Sequence, residues 1–358
     1  MNITMIGFGN IGTQFAVEFA ASGHKVTVYT QKPQSVSKRL TISYDDGTLT
    51  KTAQIVAVTS SMEEALQNAE LVIVTRPAFM LPQTAGEIYP YIQRGACIAL
   101  IPGTGGGEFA LKRHIEEKGV TVFGLQRVPA VARLIEYGKV VRVSGKRERL
   151  FAGAIPQANG KKYAELFSQV FDMPCEMLPN YLCVTLTPSN PILHTTRLRC
   201  LFHDYKPGVV YARNPYFYQD WNDESSRLLM ACDEELQTLC KSLNKLDLTG
   251  VRSLKEHYDS FTPEALTKKI RGIKSLQGLF SPMQQVDGGW IPDFTSRYFT
   301  ADFPYGLSII AQIARLAKVD TPHIDETLAW YDNLNKQEGL HLGAYGVSTL
   351  NDLFDFYR

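Results

Sequence analysis

The first twelve residues constrain this chain most. Met1-Asn-Ile-Thr-Met-Ile-Gly7-Phe-Gly9-Asn-Ile-Gly12 starts as an apolar strand through Ile3, Met5 and Ile6, then breaks at Gly7-x-Gly9-x-x-Gly12. A helical pattern follows, with Ile11, Phe15 and Phe19 on one face and small Ala16, Ala20 and Ala21 nearby. Gly23 closes it before a second strand, Lys25-Val-Thr-Val-Tyr29. Strand, tight glycine turn and helix in that order are what a dinucleotide needs. Gly7 allows the turn, Gly9 lets backbone amides approach a pyrophosphate, and Gly12 lets the helix pack close to the strand. The partial positive charge of the helix N-terminus, at Asn10 and Ile11, then faces the phosphates.

A length of 358 residues suggests two domains. With 37 basic and 36 acidic residues the net charge is +1, so no electrostatic footprint for nucleic acid or an acidic membrane is visible. No apolar stretch reaches the roughly 18 residues of a membrane span. None of the six cysteines forms C-x-x-C, which argues against zinc and disulfides, and no metal site is expected. The N-terminus reads directly as a strand, so no signal peptide is expected. The expectation is a soluble cytoplasmic protein, its oligomeric state open, a homodimer included.

The second strand ends at Tyr29-Thr-Gln-Lys32. NAD-selective folds place a carboxylate here for the ribose 2′-hydroxyl. Thr30, Gln31 and Lys32 stand here instead, with Lys38 and Arg39 shortly after. That favours NADP(H) over NAD, although these cations also read as ordinary solvated loop charges. Asp45-Asp46-Gly47 is a turn signal, and Ile55 to Val58 reads as a strand. Ser60 or Ser61 caps a short helix. Leu71-Val-Ile-Val74 is a buried-strand run ending at Arg76-Pro77, which joins the expected cofactor shell, and helical spacing runs from Leu81 to Ile92. Cys97 to Ile101 is another buried strand, feeding the loop Pro102-Gly-Thr104-Gly-Gly-Gly-Glu108. Apolar strands alternating with helices indicate a parallel sheet covered on both faces. Ligands bind such sheets beyond the carboxyl ends of the strands. The three glycines after Thr104 therefore invite a nicotinamide or a substrate carboxylate, the loop reading equally well as a flexible turn, and Gln126 and Arg127 after the next strand can reach the same cleft. Lys139 to Ser144 and Arg149 to Ala152 read as short antiparallel strands around Gly145. The helix from Lys161 to Phe171 precedes Cys175 to Leu178, which closes the sheet.

Between Asn180 and Pro188 the texture changes to long amphipathic helical stretches: Glu224 to Leu243, Thr262 to Leu276, Tyr305 to Ala317 and Ile324 to Leu334. The fold class is thus α/β, a Rossmann-type doubly wound sheet over 1–185 followed by an all-helical substrate domain over 186–358. Two stretches there can carry chemistry. In Asn190-Pro-Ile-Leu-His194, a helix beyond Pro191 puts Asn190 and His194 one turn apart on one face. Histidine titrates near neutrality and suits proton transfer, or it is a core or capping residue. In Arg297-Tyr-Phe-Thr-Ala-Asp302-Phe-Pro-Tyr-Gly-Leu307, Asp302 can fix the His194 tautomer and Arg297 can clamp a carboxylate. Asp302 also reads as the cap of a helix starting near Pro304. Tyr205, Tyr211, Tyr216, Phe217, Tyr218, Trp221 and Trp290 are aromatics for a substrate pocket or, more ordinarily, for packing.

The N-terminal glycine motif, Asn190-x-x-x-His194 and the Arg297 to Leu307 stretch together resemble the opine dehydrogenases, the octopine and nopaline dehydrogenase group. The resemblance spans the chain, with Ala301 where relatives often carry a second acid. It implies a Rossmann domain before a helical domain, with both substrates in the cleft between them. It further implies a His194–Asp302 pair and Arg297 near a substrate carboxylate. The implied reaction joins an amino acid amine to an α-keto acid such as pyruvate through an imine that NAD(P)H reduces. A ketopantoate-reductase-like enzyme would reduce a ketone without an amine and would rely on a lysine, yet no lysine here has as suggestive a setting as His194. A non-catalytic NADP(H) sensor would need no proton relay.

Overall fold

The apolar runs near the N-terminus become parallel strands in the computed structural model, which describes residues 1–44, 49–335 and 337–358. The chain divides into two units, Met1–Thr185 joined by Tyr357–Arg358, and Leu186–Phe356. In chain order the strands of the first unit are β1 (Asn2–Ile6), β2 (Lys25–Tyr29), β3 (Arg39–Tyr44), β4 (Leu49–Gln54), β5 (Ala57–Thr59), β6 (Leu71–Val74), β7 (Cys97–Leu100), β8 (Thr121–Leu125), β9 (Val131–Glu136), β10 (Val140–Ser144), β11 (Leu150–Ile155) and β12 (Cys175–Met177). Its helices are α1 (Asn10–Ala21), α2 (Met62–Leu66), α3 (Leu81–Ile88), α4 (Gly107–Ala110), α5 (Lys112–Lys118), α6 (Gly160–Phe171) and α7 (Leu182–Thr185).

Eight strands form the main sheet in the order β12-β11-β8-β7-β6-β1-β2-β5. All neighbours are parallel except β8 and β11. The order reverses at β1, which lies between β2 and β6, so the crevice beyond β1 and β6 is the topological switch point. β6, β7 and β8 are buried at every residue, as a sheet covered on both faces requires. On one face α1 and α6 meet through Phe15, Phe19, Phe167 and Phe171, with Phe15 and Phe171 rings 4.7 Å apart. Each such buried ring contributes roughly 2–3 kcal/mol.

A second sheet, β4-β3-β10-β9, packs on α1 from its other side. This corrects the reading of two strands pairing around Gly145. β10 pairs with β3 and β9, whereas β11 joins the main sheet beside β8. The alternating exposure of β10 suits a sheet with one wet face, while β11 is almost wholly buried. The helix expected to reach Ile92 ends at Ile88, since Pro90 has no N–H to continue it. Ser61 is the cap of α2, accepting from the Glu64 amide. The turn expected at Asp45-Asp46-Gly47 lies outside the described residues.

The second unit holds α8 (Asn190–Leu201), α9 (Asp223–Ser242), α10 (Leu254–Tyr258), α11 (Pro263–Arg271), α12 (Arg297–Thr300), α13 (Ser308–Ala317), α14 (Pro322–Asn335) and α15 (Leu350–Phe356). α8 is the central helix, buried from Pro191 to Leu198, and α9 packs on it, on α11 and on α14. Among its described residues the unit's one pair of strands is a hairpin, β13 (Met283–Val286) and β14 (Gly289–Pro292). Its turn is Asp287-Gly288, with Gly288 at φ +84°, a pairing of residues that favours a tight hairpin. The helix expected from Tyr305 starts at Ser308, after a π-type turn over Phe303–Leu307.

Candidate active site

The glycine turn between β1 and α1 is built as a cradle. Gly7 has φ +97°, and a Cβ on Gly12 would stand 2.0 Å from the Gly7 carbonyl oxygen. Only hydrogen fits there, which lets α1 close onto the end of β1. A Cβ on Gly9 would meet nothing within 4 Å, so the space over the helix N-terminus is open. No side chain caps α1, and no acid lies in its first turn. Its first amides therefore face an anion unopposed. Thr75, following β6, donates from Oγ1 to the Gly7 carbonyl at 2.8 Å and locks the turn to the switch point. These features fit a dinucleotide pyrophosphate.

The surrounding residues divide by what already holds them. The Asn10 side-chain oxygen accepts from the Leu134 amide at 2.8 Å, anchoring β9. Ile11 is half-buried beside it. Thr30 is buried, with its hydroxyl on Tyr137 Oη at 3.1 Å, and Gln31 donates to Tyr29 Oη at 2.7 Å. Arg76 lies 5.4 Å from the Tyr29 ring and pairs with Glu87 at 2.7 Å, and Pro77 opens a short 3₁₀ turn. Lys32 is exposed and has no ion pair among the described residues.

Beyond β7 and β8 the two candidate substrate loops are tied together, since the Gly103 amide donates to the Leu125 carbonyl at 2.8 Å. Thr104 is half-buried in the first loop. Gln126 opens the second, its Nε2 donating to the Cys183 carbonyl at 3.3 Å. The sequence reading passed over Glu108, which is completely buried. Tyr357 Oη donates to its Oε1 at 2.7 Å, and Thr185 Oγ1 donates to the same oxygen. Burial pushes its carboxyl up to about 7, against these two side-chain hydrogen bonds and a backbone one that pull it down.

In the second unit His194 sits on α8, only 5% exposed. Its Nδ1 is 2.8 Å from Asp302 Oδ2 and its Nε2 is 2.9 Å from Tyr218 Oη. A carboxylate can only accept, so the neutral ring carries its proton on Nδ1 and Nε2 accepts from the phenol. Asp302 precedes the π-type turn, yet its side chain makes no capping bond there. The carboxylate is spent on His194 instead. Phe217 meets the imidazole edge-on at 5.5 Å and Tyr298 lies 4.5 Å away at a tilt. Arg297, first residue of α12, is exposed, 5.9 Å from the Tyr298 ring, with no carboxylate partner among the described residues. Asn190, one turn before His194, is also exposed.

Tyr218 is buried, and burial above all raises its phenol well beyond the usual value; Tyr298, Tyr258 and Asp302 add to the rise and Arg297 opposes it. In the sequence Tyr218 reads as one of several aromatics for a substrate pocket or for packing. No spacing signal links it to His194, because the segment 212–222 is irregular. The buried Arg197 holds that segment. Its Nε donates to the Phe217 carbonyl at 3.1 Å and an Nη to the Asp220 carbonyl at 2.6 Å, on either side of Tyr218. Of the other aromatics, Phe217 and Trp221 are core, Tyr205 stacks on Tyr211, Tyr216 on Phe280, and Trp290 lies in β14.

Among the described residues no group of His, Cys, Asp or Glu is arranged to hold a metal ion, and no helix is long and apolar enough to cross a membrane. Comparison with known proteins gives two family matches. Residues 177–335 match the NAD/NADP octopine/nopaline dehydrogenase alpha-helical domain. Residues 2–99 match the coenzyme F420-dependent NADP oxidoreductases. The chain is 28% identical over 327 residues to an opine dehydrogenase of Haliotis discus hannai, covering 83% of this chain and 80% of that one. It is 26% identical over 308 residues to a tauropine dehydrogenase of Arabella iricolor, covering 80% and 77%. A solved octopine dehydrogenase with NADH and L-arginine superimposes with a TM-score of 0.86 over 99% of this chain and 98% of its own, at 24% identity.

Proposed function

Because the chain belongs to the opine dehydrogenase family, we infer that it catalyses an NAD(P)H-dependent reductive condensation. The amine of an amino acid adds to the carbonyl of an α-keto acid such as pyruvate, water leaves, and the imine is reduced to a secondary amine. The observation that carries this reading is His194, held by Asp302 at 2.8 Å with its other nitrogen at the hydroxyl of Tyr218.

Gly7, Gly9, Gly12 and the first amides of α1 would hold the cofactor phosphates. The reduced nicotinamide supplies a hydride to the imine carbon. The remaining work falls to the chain's own side chains. An amino acid arrives as an ammonium and cannot attack until it loses a proton, which neutral His194 accepts. The imidazolium formed is stabilised by the Asp302 carboxylate. The same proton then leaves with the hydroxyl of the carbinolamine as water. Arg297 would clamp a substrate carboxylate with two parallel hydrogen bonds, since its guanidinium is exposed and pairs with no carboxylate among the described residues. Thr104 and Gln126 are assigned to the keto acid, and Asn190 to substrate beside His194.

We assign NADP(H) as the preferred cofactor. No carboxylate ends β2, and Lys32 is exposed and without an ion pair among the described residues, a setting that attracts a 2′-phosphate. The test is cofactor oxidation followed by absorbance with pyruvate, across a panel of amino acids. The account expects oxidation only when an amino acid is present. Reduction of pyruvate at the same rate without any amine would instead describe a keto acid reductase.

A further inference from the structure

Both nitrogens of the His194 ring are occupied: Nδ1 by Asp302 at 2.8 Å and Nε2 by Tyr218 Oη at 2.9 Å. The Nδ1 proton is pinned by the carboxylate, so the proton that the imidazole exchanges is the one on Nε2. The group standing at Nε2 is a phenol. We propose that Tyr218 is a catalytic residue, carrying the proton between His194 and the reacting amine and oxygen. This rests on the assignment of His194 as the acid–base group.

The alternative is that substrate pushes the phenol aside and meets the imidazole directly. The packing opposes it. Tyr218 is 6% exposed, and its ring lies 4.9 Å from Phe217 at a steep angle. The main chain on both sides is held by the buried Arg197, through the carbonyls of Phe217 and Asp220. Around the phenol stand His194, Asp302, Arg297, Tyr298 and Tyr258. Arg297 is therefore within electrostatic reach of the same hydroxyl, which puts a carboxylate clamp and a proton carrier side by side.

The step balances as follows. When the amine is deprotonated, its proton passes to the phenol oxygen while the phenolic proton passes to Nε2. Tyr218 ends as a neutral phenol and His194 as an imidazolium. When the carbinolamine dehydrates, Nε2–H returns its proton to the phenol oxygen and the phenolic proton goes to the leaving hydroxyl. The C–O bond breaks, water departs, the nitrogen lone pair forms the C=N bond, and the positive charge moves from the imidazolium to the iminium. A phenol held neutral by burial suits this role, since it never has to carry charge.

The experiment compares wild type, Y218F and H194A, with pyruvate and the amino acid giving fastest cofactor oxidation in the panel above. Each variant is checked by circular dichroism. Y218F keeps the ring and is expected to lose about 100-fold in kcat, with KM changing less than about threefold. The rate of wild type should fall along a bowed curve with rising D2O fraction, as two protons in flight require, and that of Y218F along a straight line. Y218F turning over within about threefold of wild type while H194A is inactive overturns the relay and leaves His194 standing. A slow Y218F with an equally bowed curve also overturns it, because the hydroxyl then only positions the ring. An active H194A sinks the His194 assignment itself, and the relay with it. Should Y218F misfold, fluorotyrosines placed at position 218 keep the hydroxyl while lowering its pKa; kcat has to follow the fluorination, and indifference to it overturns the relay.

Discussion

The carboxylate of Asp302 stands 2.8 Å from Nδ1 of His194, although 108 positions separate them in the chain. Removing either partner should stop proton transfer while leaving the fold. H194A and D302N are each expected to lose roughly 100-fold or more in kcat. Asparagine at 302 cannot stabilise an imidazolium, and its amide group can hold the ring in the wrong tautomer. Steady-state kinetics together with melting curves check this. Unchanged turnover in both variants removes the pair from the chemistry.

Arg297 should act on binding more than on proton transfer. Arg297→Lys keeps the charge but loses the planar fork that grips a carboxylate at two points. KM for the keto acid is expected to rise roughly 10- to 100-fold, the scale of one strong charge-assisted hydrogen bond, with the cofactor Kd unchanged. An Arg297→Lys enzyme with wild-type KM for every substrate would place the guanidinium outside the site.

The glycine cradle makes a contrast between two substitutions. Alanine at Gly12 puts a carbon 2.0 Å from the Gly7 carbonyl oxygen, so strand and helix must part and the melting temperature should fall. Alanine at Gly9 meets nothing in the protein. Gly9→Ala should therefore fold normally yet bind the dinucleotide at least tenfold more weakly, because the methyl group occupies the approach to the phosphates. Fluorescence titration with NADPH and NADH, beside thermal melts, separates the two effects. Equal cofactor affinity in Gly9→Ala and wild type would contradict the cradle.

Much of this architecture is legible in the sequence because its signals are local. Gly7, Gly9 and Gly12 announce a strand-to-helix turn, and the runs at Leu71–Val74 and Cys97–Leu100 announce buried parallel strands. What stays hidden depends on pairing at a distance. β3 and β10, nearly a hundred residues apart, pair to build a second sheet over α1, and nothing in either strand names its partner. The Asp287-Gly288 turn did carry a hairpin signal, obscured by the long helices around it. Tyr218 is legible in the sequence only as a pocket or packing aromatic. Its meaning arises from Arg197 gripping the segment on either side, a contact no periodicity encodes.

Glu108 predicts a pH dependence. Its carboxyl is raised to about 7 in the folded chain, above its value in the unfolded chain. Between these two values the folded state binds more protons, so stability is greatest at acid pH and falls as pH rises toward 7. Glu108→Gln removes the buried charge, and should stabilise the protein at pH 8 relative to wild type by an amount on the order of 3 kcal/mol. At pH 4.5 the two should be closely matched. Denaturant melts at both pH values check it, and a glutamine variant destabilised equally at both would contradict it.

The most direct test follows the atoms. The enzyme is supplied with pyruvate, a 15N-labelled amino acid and NADPH carrying deuterium at the transferable position, and the products are weighed by mass spectrometry. The account predicts a secondary amine in which deuterium sits on the carbon newly bonded to 15N, formed by wild type and lost in H194A. Deuterated lactate with the labelled amino acid returned unchanged would contradict it.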